Sequence, residues 1–189
     1  MPCHDRGPLF PDCLDPNAAM TTPTPDALTL ALQPLLQRLA DTYEAAARKK
    51  DLQLRVHPTT AWARSDPVLL ERVLANLLTN AIRYTERGGV LLGVRNQGAS
   101  LRLCVVDTGI GIPREAHEAV FEEFVQLDNA ERNPERGHGL GLPTVRRIAA
   151  LLGHPVGLRS SVGRGSVFTL DLPAARPNDA PAPRTQPAA

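Results

Sequence analysis

Two carboxamides four residues apart, Asn76 and Asn80, lie in the run ANLLTNAIRYT (75–85), where a buried helix has little use for them. Asparagine competes with the helix backbone for hydrogen bonds and is a poor helix former. At about 100° per residue, Leu70, Val73, Leu74, Leu77, Leu78 and Ala81 form one apolar stripe. Asn76 and Asn80, with Arg83 and Tyr84 one turn on, form a polar stripe beside it. One side is therefore predicted to face a core and the other a ligand. Three glycine-bearing segments follow: DTGIGI (107–112), GHGLGL (137–142) and GRGS (163–166). Glycine lets backbone approach a ligand closely, and amides at a helix N-terminus favour phosphate. GHGLGL runs into a helix predicted to begin at Pro143, whose unpaired N–H groups would face an anion. Each segment taken alone is equally an ordinary turn.

The elements that must position these residues follow from periodicity. Residues 33–49 carry Leu35, Leu36, Leu39, Tyr43 and Ala46 at helical spacing, and LQLRV then alternates like a strand. A second helix is predicted over 67–85, with Asp66 as its cap and Pro67 at its first position. VLLGV and LRLCVVD read as an antiparallel hairpin. REAHEAVFEEF reads as a third helix and PTVRRIAALL as a fourth, separated by a polar loop from about 126 to 138. PVGLRS and SVFTLDL close the unit as a second hairpin. The order predicts an α+β fold, a two-layer sandwich with helices on one face of a mixed, mostly antiparallel sheet. Residues 1–27 read as a flexible arm and 174–189 as a Pro/Ala-rich tail, leaving 28–173 as the folded unit.

The chain has 189 residues, 42% of them hydrophobic, and a formal net charge of +1. That charge gives no electrostatic case for nucleic acid. No apolar run reaches the roughly 20 residues of a membrane span. Cys3, Cys13 and Cys104 are three cysteines without metal spacing, which suits a reducing, cytoplasmic setting.

Taken together and in order, NLLTNAIRYT, DTGIGI, FEEFVQ, GHGLGL and GRGSVF resemble the N, G1, F, G2 and G3 boxes of the ATP-binding catalytic domain of sensor histidine kinases, part of the superfamily that includes gyrase, heat-shock chaperones and mismatch-repair ATPases (Bergerat fold). The resemblance covers about 28–173. It implies ATP and Mg²⁺ as ligands, with Asn80 holding the metal by its side-chain oxygen and Asn76 supporting the metal's water shell. It implies Arg83 at the phosphates, Tyr84 beside the adenine, and Asp107 accepting from the adenine amino group. Gly109, Gly111 and Ile112 would let the base lie against the backbone. Gly137, His138, Gly139, Leu140, Gly141 and Leu142 would form the phosphate cradle and lid hinge, and Gly163, Gly165 and Ser166 would close the base side. Arg132 and Arg136 are candidate lid arginines for the γ-phosphate. On bland readings, Asp107 is a turn former, Tyr84 core, Arg83 a solvated helix end and His138 incidental.

In hydrolysing relatives the position of Asn76 is a glutamate that activates water; a carboxamide cannot take a proton. Glu71, the nearest preceding acid, points to another face of the helix. The expectation is phosphoryl transfer from ATP to a protein histidine, with slow hydrolysis. Such kinases carry an acceptor-histidine helical hairpin, and HDRGPL at His4 is a near-match whose following prolines cannot supply two long helices. The acceptor is therefore expected on another protein or a missing segment, with a response-regulator receiver domain as further partner. The rivals are an anti-sigma-factor-type serine kinase and a nucleotide-binding interaction module without catalysis.

Overall fold

The structure, a computed structural model, describes residues 27–123, 125 and 140–179. Among these residues are seven strands and three α-helices: β1 (Leu28–Ala31), α1 (Leu32–Arg48), β2 (Gln53–Val56), β3 (Trp62–Ser65), α2 (Pro67–Tyr84), β4 (Gly89–Asn96), β5 (Ser100–Asp107), α3 (Gly141–Leu152), β6 (Val156–Ser161) and β7 (Gly165–Ala175). The sheet runs β1-β3-β7-β5-β4-β2, with β6 off this path, pairing with Gly165–Leu170 of β7 while β3 pairs with Ala174 and Ala175. Only β2 and β4 pair in parallel. This is the predicted α+β sandwich. One face of the sheet, with Val90, Leu92, Leu103, Val105, Phe168 and Leu170, packs against Leu36, Leu70, Leu74, Leu77 and Leu78 of α1 and α2.

α2 forms where the periodicity puts it. Asp66 accepts from the amides of Val68 and Leu69, both at 2.9 Å, and Pro67 occupies the first turn. Its far end is held from outside: Lys50 Nζ donates to the carbonyls of Ile82 at 2.8 Å and Arg83 at 2.7 Å. A cation on the last carbonyls satisfies acceptors that the helix itself cannot pair.

The structure departs from the expectation in three places. REAHEAVFEEF is not a helix but two single 3₁₀ turns, Arg114–Ala116 and Ala119–Phe121. A segment this short is marginal as a helix, and the turns let Phe121 meet Phe168 edge-on at 6.3 Å. β1 and β3, four residues each and paired with one another, are too short to show an alternation. α3 begins at Gly141, two residues before Pro143. Thr144 closes that first turn through both its amide, at 3.1 Å, and its hydroxyl, at 2.6 Å, onto the Leu140 carbonyl. Proline fits in a first turn because its missing N–H would have had no partner.

Because Lys50 brings a charged donor to both carbonyls, Lys50→Ala should lower stability by about 1–3 kcal/mol. Urea unfolding would measure the loss, and Lys50→Arg should recover part of it.

Candidate functional site

The polar stripe of α2 and the start of α3 face each other. Asn76 and Asn80 are half-buried. Asn76 Nδ2 donates to the Arg72 carbonyl one turn back at 2.8 Å, which directs its Oδ1 away from that bond. A Cβ built on Gly141 would lie 3.3 Å from Asn80 Nδ2 and 3.5 Å from both Asn76 Oδ1 and Asn80 Oδ1. The first residue of α3 therefore rests on both carboxamides. Among the described residues no side chain caps α3, and the amides of Gly141 and Leu142, in its first turn, carry the positive end of the helix dipole. Oxygen donors next to an uncapped helix N-terminus suit a hard divalent cation bridging to phosphate oxygens. The donor set thus fits Mg²⁺ bound together with a polyphosphate.

The second half of the site is built on Asp107, the last residue of β5, directly opposite Ser166 on β7. Its Oδ1 accepts from the amides of Gly109 at 2.9 Å and Ser166 at 3.1 Å. Two donors on one oxygen leave Oδ2 with most of the carboxylate's acceptor capacity. The residue is only 6% exposed. Burial raises its pKa above the usual aspartate value, and the Gly109 and Ser166 amides and the Ser166 hydroxyl oppose that rise.

Glycines make these close approaches possible. A Cβ on Gly165, whose φ is +88°, would lie 2.0 Å from the Asp107 carbonyl oxygen. One on Gly109 would lie 2.4 Å from the Tyr84 carbonyl, which also accepts from the Ile110 amide at 3.1 Å. The end of α2 and the DTGIGI loop are therefore bound together. Gly111 sits against Ser161, and Gly163 donates its amide to the Ile110 carbonyl at 2.7 Å. Ile112 is tied to the same hairpin, its amide donating to Ser160 Oγ at 2.7 Å.

Of the predicted site residues, the structure thus brings Asn76, Asn80 and Gly141 into one cluster, flanked by Leu140 and Leu142. Asp107, Gly109, Gly111, Ile112, Gly163, Gly165 and Ser166 form a second. Arg83, half-buried, and Tyr84, 41% exposed, stand at the end of α2 between them. Tyr84 is not a core residue. Arg132, Arg136, Gly137, His138 and Gly139 lie outside the described residues. Ser160 and Thr108 join the site without a motif of their own. Ser160 Oγ also donates to the Gly165 carbonyl at 2.9 Å and meets Ser166 Oγ at 3.0 Å. Thr108 Oγ1 accepts from the Gly89 amide and donates to the Arg87 carbonyl, both at 3.0 Å. The only signal for either was a hydroxyl beside a glycine segment.

The fold and these two clusters define a class: residues 65–176 match the histidine kinase-, DNA gyrase B- and HSP90-like ATPase family, and the chain belongs to it. Within that family its likeness is to the catalytic, ATP-binding domains of sensor histidine kinases. It is 36% identical over 152 residues to the sensor-like histidine kinase SenX3 of Mycobacterium tuberculosis (strain ATCC 25618 / H37Rv), covering 79% of this chain and 37% of that protein. Among solved structures, full-length ShkA in complex with AMPPNP superposes with a TM-score of 0.69 at 31% identity, over 79% of this chain and 31% of ShkA. The catalytic domain of the histidine kinase ThkA shares the fold, with a TM-score of 0.67 at 24% identity over 78% of this chain and 95% of that one. The chain therefore spans little more than a third of SenX3. Among the described residues no helix is long and apolar enough to cross a membrane.

The raised pKa of Asp107 has a stability consequence. A carboxyl that titrates higher in the folded state than in the unfolded one favours folding when protonated, and that contribution is lost as pH rises through the folded value. Asp107→Asn, which keeps an acceptor for both amides, should therefore unfold no more easily than the parent at pH 7. Its advantage should shrink as pH falls from the raised folded-state value toward the ordinary aspartate value, below which it should no longer change. Thermal unfolding of both proteins across that range checks the sign.

Proposed function

We propose that this domain binds Mg²⁺·ATP between α2, α3 and the β6–β7 turn and donates the γ-phosphoryl group to a histidine on a helical hairpin supplied by another polypeptide segment. The observation that carries the reading is the pairing of a buried carboxylate with an uncapped helix start resting on two carboxamides. Asp107 Oδ2 accepts from the purine amino group, while the Gly109–Ile112 backbone gives the base a flat wall. Tyr84 borders the ring, and Leu140, Gly141 and Leu142 lie along the phosphates, with Gly137, His138 and Gly139 completing that segment. Asn80 holds the metal and Asn76 its water shell; Mg²⁺ neutralises phosphate charge when bound. Arg83, Arg132 and Arg136 are the proposed cations for the phosphate tail.

In the transfer, the bond between the γ-phosphorus and its bridging oxygen breaks, the acceptor imidazole nitrogen bonds to phosphorus, and ADP leaves with the electron pair. Positioning and charge neutralisation supply most of the catalysis in such reactions. Hydrolysis stays slow because no base faces the nucleotide from α2: Asn76 cannot take a proton, and Glu71 is paired with Arg38 of α1 at 3.4 Å. Completion of a phosphorelay would then require a response-regulator receiver domain.

Calorimetry with ATP in the presence and absence of Mg²⁺ tests the binding step. Asn80→Ala should weaken Mg²⁺-dependent affinity at least about tenfold with unchanged unfolding, and Asp107→Asn should weaken adenine nucleotides with or without the metal. No uptake by folded wild-type protein would overturn the reading. The transfer step is tested with labelled ATP and an acceptor hairpin from a related kinase. Acid-labile, base-stable label is expected; acid-stable label would point to a hydroxyl acceptor, and no label to a binding module.

A further inference from the structure

The face of the sheet turned away from the helices carries an arrangement that nucleotide binding does not use. Across β4, β5, β7 and β6, the residues alternating with the core positions fall into three rows by strand register. The first row is Arg95, Arg102 and Asp171; the second Gly93, Cys104, Thr169 and Gly157; the third Leu91, Val106, Val167 and Arg159. The middle row holds only small side chains and so forms a trough with arginines on both sides. Gly157 keeps it open: a Cβ there would lie 2.5 Å from Thr169 Oγ1. A cavity of about 240 Å³ fills this trough between Arg95, Arg102 and Arg159, with Cys104, Thr169 and Gly157 along it.

The charges around this cavity do not balance. Arg102 is paired with Asp171, its Nε donating to Oδ1 and its Nη2 to Oδ2, both at 2.7 Å. That bidentate bond fixes the guanidinium plane and leaves three N–H groups unspent. Arg95 stands directly opposite Arg102 in the ladder, and like charges facing each other across two strands are unfavourable. Neither Arg95 nor Arg159 has an ion-pair partner among the described residues. Three guanidinium groups and one carboxylate thus meet at a single cavity, a surplus of two positive charges. The cavity is smaller than the roughly 300–1,000 Å³ of sites that hold drug-sized ligands. Charge and size together select a compact dianion.

We propose that this trough is a binding site for a small dianionic oxyanion, a phosphate or dicarboxylate group of a low-molecular-weight solute. Arg95 and Arg159, both exposed, are its uncommitted donors, and Arg102, preset by Asp171, is its fixed one. Planar forks that donate in pairs are well matched to such oxygens. The bound anion would replace the Arg95–Arg102 repulsion by two attractions. It would also link β4 to β6, strands that do not pair.

The test is amide and arginine Nε–H chemical-shift mapping of the full chain, titrated with inorganic phosphate and separately with succinate at fixed pH and ionic strength. Saturable shifts of Cys104, Gly157 and Thr169 are expected, with Arg95→Gln and Arg159→Gln each weakening the midpoint at least about fivefold. The Asp107 and Gly109 amides should stay in place in both variants, showing that the fold is intact. Non-saturating shifts, equal midpoints in parent and variants, or shifts confined to Gly141 and Leu142 at the nucleotide site would each overturn the proposal. So would saturation by a polyglutamate peptide with no response to either small anion, which would assign the face to an acidic protein partner.

Discussion

One carboxylate oxygen carries much of this architecture. Asp107 Oδ1 receives the amide of Gly109 from the loop after β5 and the amide of Ser166 from the strand across the ladder. The loop is held in turn to the end of α2 through Ile110 and Tyr84, and to the β6–β7 turn through Gly163. Three separated stretches of chain therefore converge on a group that costs free energy to bury ionised. Folding alone would be served as well by a neutral acceptor. A charged one at that place fits the ligand-recognition role proposed for it above.

The other half of the site depends on the absence of a cap. Helix α2 has a well-made start, in which Asp66 occupies two of the free amides. α3 begins at Leu140–Gly141 with no such side chain among the described residues and with both asparagines against it. The two helices meet the same physical requirement in opposite ways. Where the requirement is met internally the terminus is closed to ligands; where it is left open it attracts an anion.

Much of this was legible in the chain because its strongest signals are local. The 3.6-residue stripe of α2, the Asp66–Pro67 start and the glycine segments are each read within a few residues. What escaped was set by distant contacts. β1 and β3 exist because they pair with each other and β3 pairs in turn with β7, not because four residues prefer to be extended. The Arg114–Phe121 stretch has helical composition but forms two tight turns, the second of which brings Phe121 against Phe168, 47 residues away in the chain. Ser160 joins Ile112, Gly165 and Ser166 only once the final hairpin has folded back beside DTGIGI. The row order of arginines on the outer face likewise needs the register of four strands, which no local pattern encodes.

The sheet also has a narrow neck. β3 is joined to β7 by just two facing pairs, Trp62 with Ala175 and Ala63 with Ala174, whereas β5 and β7 share eight, ending at Asp107 and Ser166. The ribbon made by β1 and β3 therefore hangs on the main sheet by a short seam, reinforced by the buried contact of Ser65 Oγ with His154 Nε2 at 2.9 Å. The carboxylate lies on the other side of β7, on the eight-pair ladder, so its register is set independently of how the chain's first strand is attached.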